Sequence, residues 1–143
     1  MNQPHWLIIH HEAPPIIVTK DRFDAVNEYH KSLGWGGIGY NWFIEISGEL
    51  KKGRGEETEG AHTIGYNKTS IGICLANNFD LTVPTQSQID TLTKLLKEKT
   101  AQYNIPIENV RPHRYFATPG NLKQYETIDG KGCYKSCYGS NLS

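Results

Sequence analysis

Two histidines, His10 and His11, close the apolar run "LIIHH", and Glu12 and the Pro14–Pro15 pair follow them. A further imidazole, His113, stands in "RPHRYF". Two thiols, Cys133 and Cys137, stand in the glycine-rich tail "DGKGCYKSCYGSNLS". Imidazole nitrogen and thiolate sulfur are preferred donors for zinc, and a catalytic zinc takes three protein ligands and leaves one position for water. This chain offers one donor from each of three separated segments: His10 or His11, then His113, then Cys133 or Cys137. A zinc finger would show two tight ligand pairs instead. If His10, His113, Cys133 and Cys137 all bound one ion, the shell would be closed and the metal purely structural. Cys74, inside the apolar "SIGICLA", reads as a small core residue.

These donors need elements to position them. Trp6 to Ile9 reads as a short strand that delivers His10, and Ala13 to Pro15 breaks it. Side chains alternate along a strand, so His11 should face away from His10 as a packed, hydrogen-bonded histidine. Asp21 to Leu33 predicts a helix, with Phe23, Val26, Tyr29, His30 and Leu33 at helical spacing and Gly34 as its stop. In "GYNWFIEISGEL", Tyr40, Trp42, Ile44 and Ile46 alternate with Asn41, Phe43 and Glu45, which predicts a strand, and Ser47-Gly48-Glu49 reads as a hairpin turn. The polar stretch "KKGRGEETEGAHTIGYNKTS" reads mostly as loop. Ile71 to Ala76 is apolar on both faces and reads as a central strand.

The clearest helix runs from about Thr85 to Tyr103. Pro84 precedes it, Thr85 and Gln88 have capping-box spacing, and Ile89, Leu92, Leu95, Leu96 and Tyr103 form its apolar stripe. "NIPIENVRPHRYF" predicts a short connection and a strand end, and loop follows Phe116. Strands alternating with two helices predict an α/β fold: a central mixed β-sheet flanked by α-helices, in a single domain over residues 1–143.

Composition narrows the function classes. Lys+Arg and Asp+Glu are both 15 of 143 residues, for a formal net charge of +0. No basic excess is present to hold a nucleic-acid backbone. No apolar run reaches the length of a membrane-spanning helix. The start, "MNQPHWLIIHHEA", lacks the charged and long apolar regions of a secretory signal. Three cysteines, an odd number, do not suit a disulfide framework.

The order of motifs resembles the zinc-dependent N-acetylmuramoyl-L-alanine amidases, the family of phage lysozyme-amidases and peptidoglycan recognition proteins. The residues that carry the resemblance are "IIHHEA" (8–13), "GWGGIGYNWFI" (34–44), "GRG" (53–55), "GAHTIGYNKTSIGICL" (60–75), "HRYF" (113–116) and "YKSCYG" (134–139), in the family's order. Tyr138 departs from it, standing where the family's last motif has proline. The resemblance implies a zinc site in a surface groove, with His10, His113 and Cys137 as ligands. Cys137 is preferred to Cys133 because "KSCYG" keeps the glycine of the motif, whereas Lys135 occupies that place after Cys133.

The resemblance also implies two catalytic side chains. Tyr40 would stand beside the metal-bound water to hold or relay a proton, and Lys135 would stabilise developing negative charge. His62, Tyr66 and Asn67 would border the substrate groove, although glycines and asparagines of that block also suit turns. Arg54 could meet a stem-peptide carboxylate or form a structural ion pair, the second being favoured. Trp35 and Trp42 suit a core better than a sugar platform. The implied reaction is hydrolysis of the amide between N-acetylmuramic acid and L-alanine in peptidoglycan, by an endolysin or autolysin acting as a monomer. A non-catalytic peptidoglycan-binding module is the alternative. The resemblance further leads one to expect a closing helix beyond Ser143.

Overall fold

The computed structural model describes residues 3–63 and 65–113. Cys133, Lys135 and Cys137 lie outside the described residues. The described elements run in the order β1 (Trp6–His11), α1 (Phe23–Ser32), β2 (Trp42–Ile44), β3 (Leu50–Lys52), β4 (Ser70–Leu75), α2 (Gln86–Tyr103) and β5 (Val110–Pro112). They form an α/β fold around a mixed sheet of strand order β3-β2-β4-β1-β5. β2, β4, β1 and β5 pair in parallel, and only β3 is antiparallel to its neighbour.

β4 is the central strand, as its two-sided apolarity predicts, and every one of its residues is buried. Its register divides the core. Ile71, Ile73 and Leu75 share a face with Leu7, Ile9 and Ile44, and Leu92 and Leu95 of α2 close over them. Cys74 and Phe43 lie on the other face, closed by Val26 of α1 and by Ile38. The sheet is thus covered on both sides, as parallel strands require. Removing a buried leucine such as Leu95 would cost roughly 2–5 kcal/mol.

The α2 cap is legible in the sequence. The Thr85 hydroxyl accepts the Gln88 N–H at 3.1 Å and the Gln88 side chain accepts the Thr85 N–H at 3.1 Å. Gln88 is itself buried, because its amide also donates to the Ala76 carbonyl at 3.0 Å. Helix α1 is capped from a distance. Its N-cap residue, Arg22, supplies no side-chain cap; the buried carboxylate of Glu45, just past β2, accepts the N–H groups of Arg22 (2.7 Å) and Phe23 (3.2 Å). Burial raises the Glu45 pKa, and these two bonds oppose the rise.

Two expectations need correction. Lys51 and Lys52, the start of the stretch read mostly as loop, belong to the edge strand β3 (Leu50–Lys52), which pairs with β2 through Phe43↔Lys51. Its alternation is too short and too lysine-rich to show, and such composition is typical of an edge. The turn before it begins one step earlier than expected: the Gly48 N–H bonds the Glu45 carbonyl at 2.8 Å, with Gly48 at φ +90°. A side chain at Gly48 would also strike Ser87 of α2.

The second correction concerns α2. Its stripe is less apolar than predicted, because Lys99 is buried on it. Lys99 Nζ meets the Glu56 carboxylate at 2.8 Å, and Glu56 also accepts Trp42 Nε1 (2.6 Å) and the Tyr103 hydroxyl (2.7 Å). Burial pushes the Glu56 pKa up, but these three donors outweigh it and hold the carboxyl below its usual range. The loop after β3 is thereby tied to α2.

Candidate active site

β1 and β5 are parallel neighbours whose last register pair is Ile9↔Pro112. The next residue of each chain is a histidine. His10 and His113 therefore emerge side by side at the carboxyl ends of the strands, the usual ligand position in parallel sheets. Their ring centroids are 4.4 Å apart and both are buried. His11 points to the opposite face, as strand alternation predicts. Its Nδ1 accepts the Phe79 N–H at 3.0 Å and its ring stacks on Phe79.

Around His10 the chain gathers further rings. Tyr40 lies 5.1 Å away and His62 lies 4.9 Å away, centroid to centroid. His10 Nε2 is 2.9 Å from His62 Nδ1, so one of these nitrogens carries the shared hydrogen and the other accepts it. The Thr63 hydroxyl lies 2.9 Å from His62 Nδ1 and 3.4 Å from His10 Nε2. Tyr40 hydrogen-bonds the buried Cys74, the register partner of His10 on β4. The Cys74 thiol is raised well above its usual range, by burial first and then by Glu12.

All three imidazoles are held neutral. Burial drives His10 well below its usual value, with added repulsion from His113, His62 and His11. His62 falls to about 3, through burial and then the charges of His113 and Arg54. His113 falls to about 3, through burial and then His11. A neutral imidazole keeps a nitrogen lone pair, which metal coordination requires. The chemistry of His10 and His113, two adjacent neutral imidazoles, suits a metal such as zinc, although among the described residues no group of three or more His, Cys, Asp or Glu could hold a metal ion.

The other residues singled out in the sequence take supporting places. The Asn67 side-chain oxygen accepts the N–H groups of His62 (2.9 Å) and Thr63 (2.8 Å), fixing the segment that carries His62. Tyr66 packs edge-on against Trp6, and its carbonyl accepts the Ser70 hydroxyl at 2.7 Å. Among the described residues Arg54 has no carboxylate partner: its Nε bonds the Ile38 carbonyl (3.1 Å) and its Nη1 the Glu59 carbonyl (3.0 Å). Trp42 is half-buried against the α2-side core rather than in the site, as expected. Trp35 lies over Arg54, its ring 6.0 Å from the guanidinium carbon.

Three contributors were not singled out by the sequence. Asn41 accepts the Gly72 N–H at 2.9 Å and donates to the Gly55 carbonyl at 3.2 Å, joining β4 to the loop after β3. Thr63 and Gly72 bracket His62. A thorough reading of "GYNW" and "SIGIC" as polar and glycine positions inside apolar strands would have flagged Asn41 and Gly72.

Residues 1–129 match the family described as N-acetylmuramoyl-L-alanine amidase. The chain belongs to that family. Among similar proteins is peptidoglycan-recognition protein SC2 of Drosophila melanogaster, 34% identical over 109 residues, which cover 73% of this chain and 59% of that protein. An endolysin of Klebsiella phage KP32 is 35% identical over 83 residues, 54% of this chain and 55% of the endolysin. The chain thus spans a little over half the length of these relatives. Among solved structures, the N-acetylmuramoyl-L-alanine amidase LysC from Clostridium intestinale URNW superposes with a TM-score of 0.72 at 27% identity, covering 87% of this chain and 84% of that one. Among the described residues, no helix is long and apolar enough to cross a membrane.

Proposed function

We propose that this chain is a zinc-dependent amidase that cleaves the bond between N-acetylmuramic acid and L-alanine in peptidoglycan. The observation that carries the reading is the convergence of His10 and His113, both neutral and buried, at the ends of adjacent parallel strands beside Tyr40. Family membership and the named relatives support the substrate class. In this reading residues 1–143 form one catalytic domain.

His10 and His113 would hold the ion, with Cys137 as third ligand and Cys133 as its rival. A zinc ion in such a site lowers the pKa of bound water and polarises a carbonyl oxygen. His62 and Thr63 orient His10 through its Nε2, as outer-shell partners orient metal-binding imidazoles. Tyr40, against the ring of His10, would take or return a proton at its hydroxyl. Lys135 would offer its ammonium to charge developing on the amide oxygen. His62, Tyr66 and Asn67 would border the groove that receives the muramyl peptide.

The test is release of stem peptide from purified peptidoglycan, with zinc content measured on the same samples. Hydrolysis that disappears with zinc in His10→Ala, His113→Ala and Cys137→Ser supports the reading. A native chain that carries zinc and pellets with the wall but releases nothing replaces it with a binding module.

A further inference from the structure

The segment that carries Tyr40 is a loop, and so is the segment that carries His62. Both meet at Gly39. The Gly39 carbonyl accepts the Ala61 N–H at 2.9 Å, one residue before His62. The Gly39 N–H donates to Nδ1 of His30 at 2.8 Å, in a buried bond. His30 comes from the last turn of α1 and is itself buried. Its ring lies 4.7 Å from Trp35 and 5.8 Å from Tyr40. The space is closed to anything larger: a Cβ on Gly39 would come within 2.3 Å of the Ala61 carbonyl oxygen.

We infer that His30 is a positioning residue of the site: its Nδ1 clamps the Gly39 N–H and so fixes Tyr40 and, through Ala61, His62. The Gly39 bond also sets the tautomer. Nδ1 accepts, so the hydrogen of neutral His30 sits on Nε2. Without an acceptor there, a buried backbone N–H is left unmatched, and the loop keeps on the α1 side only the neighbouring bond from the Ile38 N–H to Asn27 Oδ1 at 2.9 Å. The inference uses the proposed hydrolysis for one of its readouts and stands apart from it in the other.

The discriminating pair is His30→Asn and His30→Leu. An asparagine oxygen lies near the place of histidine Nδ1 and can accept the Gly39 N–H, whereas leucine fills similar space with no acceptor. The first readout is hydrogen exchange of the Gly39 and Ala61 amides in the folded protein. Exchange in His30→Leu should quicken by about tenfold or more, with His30→Asn close to native. The second readout is the rate of peptidoglycan hydrolysis, in which kcat should fall in the same order, native above Asn above Leu, with KM and zinc content held. Equal exchange at Gly39 in all three proteins overturns the inference, as does an equal loss of kcat in both variants. If the native chain hydrolyses nothing, the amidase reading fails, and the exchange ranking alone decides the role of His30.

Discussion

A Cβ placed on Gly72 would lie 2.5 Å from the ring of His62. The central strand therefore carries a glycine where the imidazole must rest on the sheet. Gly72→Ala should push His62 off His10 and cost about 1–3 kcal/mol by overpacking. Urea unfolding checks the cost. Adding His62→Ala to Gly72→Ala should recover part of the stability, because the clash partner is gone, while the His10 contact stays lost.

Glu45 holds the N-terminus of α1 from another element. Glu45→Ala should destabilise the fold by about 1–2 kcal/mol, the range of a lost cap. Because α1 carries His30, the Gly39 amide should also exchange faster, and exchange measured by NMR reads both effects.

Lys99 and Glu56 form an ion pair with side chains only 8% and 13% exposed. Lys99→Met should cost on the order of 3 kcal/mol, because it strands a buried carboxylate. The double variant Lys99→Met, Glu56→Gln should be less damaged than Lys99→Met alone, since the neutral amide can accept from Trp42 at its oxygen and donate to the Tyr103 hydroxyl oxygen at its nitrogen. A double-mutant cycle from denaturation midpoints checks the coupling.

His30 gives the fold an acid sensitivity of defined sign. Its folded pKa is lowered from 6.5 to about 4, by burial and then by Arg54. The unfolded chain therefore binds the extra proton as pH falls below 6.5. This stabilisation is complete above pH 6.5 and is lost as pH drops toward 4. The loss is on the order of 2 kcal/mol after allowance for solvent screening. In metal-free protein, His30→Asn should lose less stability than the native chain between pH 6.5 and 4, as followed by thermal unfolding.

Periodicity and capping carried most of the fold. The α2 cap at Thr85 and Gln88 and the buried run at 70–75 are local signals that tertiary packing reinforced. The hairpin turn was legible, but the extent of the returning edge strand over Lys51 and Lys52 was not, because its register depends on β2 and not on its own alternation. The facing directions of His10 and His11 followed from strand alternation alone. The partnership of His10 with His113 did not, because it depends on β5 returning beside β1 after a hundred residues of chain and only the family's motif order suggested it. His30 looked like one more residue on an amphipathic helix, and nothing local distinguishes it from its neighbours. Its meaning lies in Gly39, a residue from the next loop.

The central claim is that His10 and His113 hold a zinc ion that hydrolysis requires. The most direct measurement is zinc content together with stem-peptide release from purified peptidoglycan, for the native chain and for His10→Ala, His113→Ala, Cys137→Ser and Cys133→Ser. The account predicts that the native chain and Cys133→Ser keep both zinc and hydrolysis, and that the other three lose both together. Hydrolysis that persists in His10→Ala or His113→Ala, or that survives complete removal of zinc by chelator, would contradict it.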